Sequence, residues 1–125
     1  MSYKPDGYNS ASPYLMVRSA PATIDFAKAV FGAEELRSFP HPDGGVGHAE
    51  IRIDDTVIMM GEAGEGETAH IHVYVPDVRK CFAAALANGA TVVQEVTDKG
   101  DGDLRGGVSD SNGIVWWIST QQERV

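Results

Sequence analysis

The stretch HIHVYVPDV, residues 70–78, sets the reading of the whole chain. HIHVYV (70–75) is a run of β-formers, and Asp77 is a good N-cap for the helix VRKCFAAALANG (78–89) that follows. In that helix Val78, Cys81, Phe82, Ala85 and Leu86 make an apolar stripe at helical spacing, and Gly89 ends it. The chain opens the same way. SPYLMVRS (12–19) reads as a strand and APATIDFAKAVFGA (20–33) as a helix. Pro21 suits its first turn, Ile24, Ala27 and Phe31 keep helical spacing, and Gly32 is a stop.

Each helix is followed by three strands. In the first half these are EELRSFP (34–40), VGHAEIRI (46–53) and TVIMMG (56–61), with turn chemistry at HPDGG (41–45) and Asp54-Asp55. In the second half they are TVVQEV (91–96), LRGGVSD (104–110) and IVWWIST (114–120). FGAEEL (31–36) and NGATVV (88–93) stand 57 residues apart and give the repeat its register. The acidic, Gly-rich EAGEGETA (62–69) reads as the linker. The expected class is α+β: two tandem βαβββ modules, about 11–62 and about 69–121, in a single domain of residues 1–125. Neither module is long enough to bury both faces of its sheet. One face goes under the helix, and the other must meet its counterpart, a second chain or a ligand.

Ten Lys and Arg stand against eighteen Asp and Glu, a net charge of -8. That field argues against nucleic acid and anionic membranes as partners. No apolar run is long enough to span a bilayer, and MSYKPDGYNSASPYL (1–15) lacks the pattern of a secretory signal. Cys81 is the only cysteine, so no internal disulfide forms, and its place on the helix stripe reads as a buried, inert thiol. These features point to a cytoplasmic protein.

The paired modules, with TIDFAKAVFGAEEL (23–36) in the first and GGVSDSNGIVWWIST (106–120) closing the second, resemble the vicinal oxygen chelate superfamily. That group holds the glyoxalase, bleomycin-resistance and ring-cleaving dioxygenase proteins. HAEIRI (48–53), VPDVRKCFAAALANGA (75–90) and GDLRGGVSD (102–110) fit its PhnB-like, glyoxalase-like branch. The resemblance covers roughly residues 11–121. It implies a curved mixed sheet around a concave cavity, helices outside, and a homodimer. Metal-dependent members take ligands from the first and last strands of each module, which correspond here to Ser12, Met59, His70 and Trp117. Only His70 is a good ligand for zinc or a hard divalent ion, so the resemblance favours no metal at that position.

Alternation then assigns the faces. Leu15, Val17, Ile58, Met60, Ile71, Val73, Val75, Trp116 and Ile118 form the apolar set expected under the helices. Tyr14, Met16, His48, Glu50, Arg52, Met59, His70, His72, Tyr74 and Trp117 form the opposite set, a mixture suited to a small-molecule pocket. His70 and His72 read as cavity histidines hydrogen-bonded to neighbours, or as a rebuilt metal site with a carboxylate. A cupin is rejected, because no Glu follows the His-x-His and two helices repeat. His48 and Glu50 read as an acid/base pair, with Glu50 the candidate catalytic group, or as a polar network with Arg52. Arg52 and Arg105 could grip an anion or be solvated. GEAGEGE (61–67) carries three carboxylates and no Lys and is no phosphate loop. Ser12, Ser109 and Ser119 lack the context of a nucleophile.

Two functions lead, ahead of a third in which the cavity is incidental and the protein has only an interaction role. One is a metal-free homodimer binding a small, partly aromatic or anionic molecule, as bleomycin-resistance proteins of the superfamily do. The other is a lyase, isomerase or dioxygenase whose divalent metal sits at a relocated His/Glu site.

Overall fold

A computed structural model describes residues 3–122. The elements run β1 (Tyr14–Val17), α1 (Ala20–Phe31), β2 (Glu34–Pro40), β3 (Val46–Ile53), β4 (Thr56–Glu62), β5 (Ala69–Tyr74), α2 (Val78–Ala87), β6 (Thr91–Asp98), β7 (Asp103–Ser109) and β8 (Ile114–Gln121). This is βαβββ twice.

Capping chemistry sets the helix bounds. Ser19 Oγ accepts from Ala22 N at 3.2 Å at the head of α1. Gly32 closes that helix in the left-handed region at φ 67°, a conformation that costs glycine little. Asp77 Oδ1 accepts from Lys80 N at 3.2 Å and starts α2. Asn88 is the C-cap of α2, and Gly89 follows at φ 93°.

The strands form two separate mixed sheets, ordered β1-β4-β3-β2 and β5-β8-β7-β6. In each, the first strand of the module pairs parallel with the last and the other neighbours pair antiparallel. Among the described residues no strand of one sheet pairs with a strand of the other. The expected α+β pair of tandem βαβββ modules is thus present, each module contributing one open mixed sheet.

Both helices pack on one side, over one hydrophobic cluster that includes residues of both modules. Leu15, Val17, Ile58, Met60, Val73, Trp116 and Ile118 are buried in it, with Ile71 and Val75 packed against it. Trp116 is fully buried, with the rings of Phe26 and Phe31 of α1 centred 6.0 and 5.1 Å away. Its Nε1 donates to Asp110 Oδ2 at 2.8 Å, so the indole's one polar group is satisfied inside the core. The turn after β7 ties the modules together. The buried Asn112 amide accepts from Ser19 N at 3.0 Å and donates to Thr23 Oγ1 at 2.7 Å and Ser19 O at 3.2 Å. Cys81 packs in the same core, and burial, helped by the charge of Asp77, pushes its thiol up to about 11. No helix among the described residues is long and apolar enough to cross a membrane.

Candidate functional site

With the apolar set under the helices, the opposite set lies on the two open faces, where it separates into two groups, one per sheet.

On the first sheet the centre is Glu50. Cross-strand register places it beside Met59 of β4 and Arg37 of β2. Its side chain is only 5% exposed. His48 Nε2 lies 2.8 Å from Oε2, while Oε1 accepts from the Tyr8 hydroxyl and from Arg37 Nε at 3.0 Å. Burial alone would raise this carboxyl's pKa. Hydrogen bonds from His48 and Tyr8 and the charge of Arg37 outweigh that and hold it below the ordinary carboxylate value. An ionised Glu50 accepts only, so His48 carries its proton on Nε2. In the neutral imidazole, His48 Nδ1 then accepts from the Tyr14 hydroxyl at 3.3 Å. The three groups form a line from a half-exposed phenol to a buried carboxylate.

Tyr8 comes from a segment ahead of β1 that crosses this face as a strap. Asn9 Oδ1 accepts from Val57 N at 2.8 Å, and Gly7 O accepts from Arg52 Nη2 at 3.1 Å. Arg52 also pairs with Glu34 at 3.3 Å, so both ends of its guanidinium are engaged.

On the second sheet the centre is Trp117. It is flanked by His72 of β5 and Gly107 of β7. A Cβ on Gly107 would lie 2.6 Å from the indole Cζ3, so the absence of a side chain there lets the ring lie across β7. The other edge of the indole reaches β5, where Nε1 donates to His70 Nδ1 at 3.0 Å. The two rings are nearly parallel, 10° apart, with centroids 6.2 Å from one another. His72 Nε2 lies 2.9 Å from Ser119 Oγ, and Arg105 Nε donates to the same oxygen at 3.1 Å. Arg105 is further held by Asp101 at 3.0 Å and Asp103 at 3.1 Å. Tyr74 OH donates to Asp103 at 2.8 Å and its ring meets His72 edge-on. Burial, reinforced by the charge of Arg105, lowers the His72 pKa below the ordinary imidazole value.

A groove of about 470 Å³ runs along the free edge of β5, lined by His70, His72 and Tyr74 on one side and by Pro13 and Asp54–Thr56 on the other. It lies between the modules.

The superfamily's four ligand positions do not suit a divalent ion. The Ser12 hydroxyl is enclosed and makes no hydrogen bond among the described residues. Met59 offers a soft thioether beside Tyr14 and Glu50. Trp117 presents an N–H, and presents it to His70, the one strong ligand of the set. The relocated alternative would need a lone pair on the outward nitrogen of His70, and because Nδ1 accepts from Trp117 the ring's proton sits on Nε2 instead.

The structure thus brings together Tyr14, His48 and Glu50 in one cluster, and His70, His72, Tyr74 and Trp117 in the other. Met16 and Met59 line the first face, and Arg52 and Arg105 are tied into ion pairs. Sequence reasoning missed Tyr8, Arg37 and Phe39. Arg37 and Phe39 follow the two-residue period of β2, and their pairing with Glu50 and His48 depends on the β2–β3 register. Tyr8 lies in a segment with no periodicity.

Two open βαβββ sheets with helices on one side define a class. The sequence profile of the Glyoxalase/Bleomycin resistance protein/Dioxygenase superfamily matches residues 9–118, and the chain belongs to that family. It is 37% identical to an uncharacterized protein of Mycobacterium bovis, over 84% of this chain and 78% of that one. Its fold is similar to that of TioX from Micromonospora sp. ML1, at TM-score 0.72 and 25% identity, covering 94% of this chain and 99% of that one. It is also similar to a mutant of the fosfomycin resistance protein FosX from Listeria monocytogenes, solved in complex with Mn(II) and 1S,2S-dihydroxypropylphosphonic acid. There the TM-score is 0.71 at 16% identity, covering 88% of this chain and 87% of that one.

Proposed function

We propose that this protein binds a flat, partly apolar small molecule without a metal ion, as a homodimer in the PhnB-like branch of its family. The observation that carries this reading is the Trp117–His70 pair at 3.0 Å. Where metal-dependent relatives place a carboxylate, this chain has an indole, and the indole's N–H occupies the neighbouring imidazole. An aromatic floor across Gly107 with oriented imidazoles beside it suits a planar ligand.

The dimer follows from what each face leaves open. Tyr14, Phe39 and Tyr74 are 50%, 50% and 63% exposed. A second copy that lays its first-sheet face over the second-sheet face of its partner covers these rings and encloses both sites. Each site then holds Tyr14, Met16, His48, Glu50, Arg52 and Met59 from one chain and His70, His72, Tyr74 and Trp117 from the other.

The test is titration of the protein with a panel of aromatic compounds, followed by tryptophan fluorescence, with and without zinc, nickel and manganese. Binding is expected without added metal and is expected to disappear in Trp117→Ala. Binding that requires a metal, or survives that substitution unchanged, overturns the reading. Sedimentation showing only a 13.4 kDa species at micromolar concentration overturns the dimer.

One observation favours a second reading, that the site is catalytic. The Tyr14–His48–Glu50 line is built as a proton relay, in which His48 Nδ1 takes a proton from Tyr14 or directly from a ligand and Glu50 stabilises the resulting imidazolium. Solvent deuterium exchange into a bound carbon acid, lost in Glu50→Gln, would establish it.

A further inference from the structure

We infer that His70 and His72 are fixed as neutral hydrogen-bond donors and that together they select ligands carrying a carbonyl or carboxylate oxygen. The inference rests on the metal-free reading of the same site and adds the chemistry of its ligand.

Hydrogen-bond accounting gives the tautomers. Indole Nε1–H can only donate, so His70 Nδ1 is the acceptor in the 3.0 Å bond from Trp117. A neutral imidazole that accepts at one nitrogen carries its proton on the other, so the His70 proton is on Nε2. Arg105 Nε–H can likewise only donate, and it donates to Ser119 Oγ at 3.1 Å. Ser119 is fully buried, and among the described residues the one remaining hydrogen-bond partner of its hydroxyl is His72 Nε2 at 2.9 Å. If the hydroxyl accepted from both, its own buried O–H would be left without a partner, at a cost of about 1–3 kcal/mol. The hydroxyl therefore donates to His72 Nε2, and the His72 proton is on Nδ1. His70 Nε2–H and His72 Nδ1–H have no partner among the described residues.

The geometry makes these two donors one feature. Residues two apart on a strand share a face and lie about 6.6 Å apart along it. One small ligand can meet both. An acceptor oxygen matches two N–H groups. An ammonium or other cation without a lone pair would leave both donors unpaired, and a metal would need a lone pair that neither outward nitrogen has. The preference runs against the field of a chain with net charge -8, which by itself draws cations.

Two measurements on the full-length protein test this. The first is long-range ¹H–¹⁵N correlation NMR of ¹⁵N-histidine-labelled protein at pH 8. It is expected to show His70 as the Nε2–H form and His72 as the Nδ1–H form, with His70 becoming a tautomer mixture in Trp117→Phe. The opposite tautomer at either residue overturns the inference. The second compares 1-naphthoate, 1-naphthamide and 1-naphthylmethylammonium by calorimetry. The two oxygen-bearing compounds are expected to bind at least tenfold more tightly than the ammonium, and this ratio is expected to fall at least threefold in His70→Ala. Equal binding of all three leaves the flat-ligand reading standing and sinks the donor inference. Failure of all three to bind at millimolar concentration sinks both.

Discussion

Gly107→Ala is a one-carbon test of the Trp117 floor. The new Cβ would lie 2.6 Å from Cζ3, 2.8 Å from Cε3 and 3.3 Å from Cη2 of the indole. Gly107 is not among the glycines with positive φ, so alanine carries no backbone penalty there and the effect is steric. If the ring stays, the overpacked contact costs about 1–3 kcal/mol. If the ring swings away, it forfeits the bond to His70, about 0.5–1.5 kcal/mol, and its contact with the sheet. The cheaper route wins, giving about 1–2 kcal/mol. An unfolding entropy of ~2.1 cal/mol/K per residue converts this to a melting-point drop of about 4–8 °C for a chain of this length. Circular dichroism reads the melting point, and emission reads the ring. Trp116 is fully buried and keeps its blue emission, so a red shift belongs to Trp117. A Gly107→Ala protein with unchanged melting point and emission would show that the indole does not lie across β7.

Three further outcomes follow from the packing and the charges. Asn112→Ala strips the clamp between the β7–β8 turn and α1, leaves the Ser19 N–H unpaired, and should cost about 2–4 kcal/mol in urea unfolding; a loss below 1 kcal/mol would mean water replaces the amide. Because His72 has a folded-state pKa below its ordinary 6.5, the unfolded chain takes up that proton first, and stability should decline as pH falls below about 6.5 toward the folded value. Glu50, lowered from 4.5, contributes stability that is complete above 4.5 and lost as pH falls through its folded value. Denaturation across a pH series should show both limbs, the upper one flattened in His72→Gln and the lower in Glu50→Gln. Cys81, with its thiol pushed up to about 11 and its Sγ against Val30 O at 3.3 Å, should react with a thiol reagent only at the rate of unfolding.

Local chemistry made much of the fold legible. Asp77 and Gly32 act as caps because their side-chain and backbone preferences operate within a few residues. The alternation of HIHVYV placed Ile71 and Val73 toward the core and both histidines away from it for the same reason. What alternation could not supply was register between strands distant in sequence. Arg37 meets Glu50 because β2 pairs with β3 in a particular offset interrupted by a bulge, and no single segment encodes that. Tyr8 reaches Glu50 across 42 residues from a segment with neither helical nor strand period. Periodicity gives the side of a sheet on which a residue lies, and not which other sheet faces it.

In the metal-free reading, an indole–imidazole pair replaces the metal-ligand set that the family resemblance implies. Elemental analysis of the purified protein, before and after chelator treatment and with His70→Ala alongside, tests it most directly. The account predicts metal far below one ion per chain in every sample and no difference between wild type and His70→Ala. One ion per chain that is removed by chelator and absent from His70→Ala would contradict it.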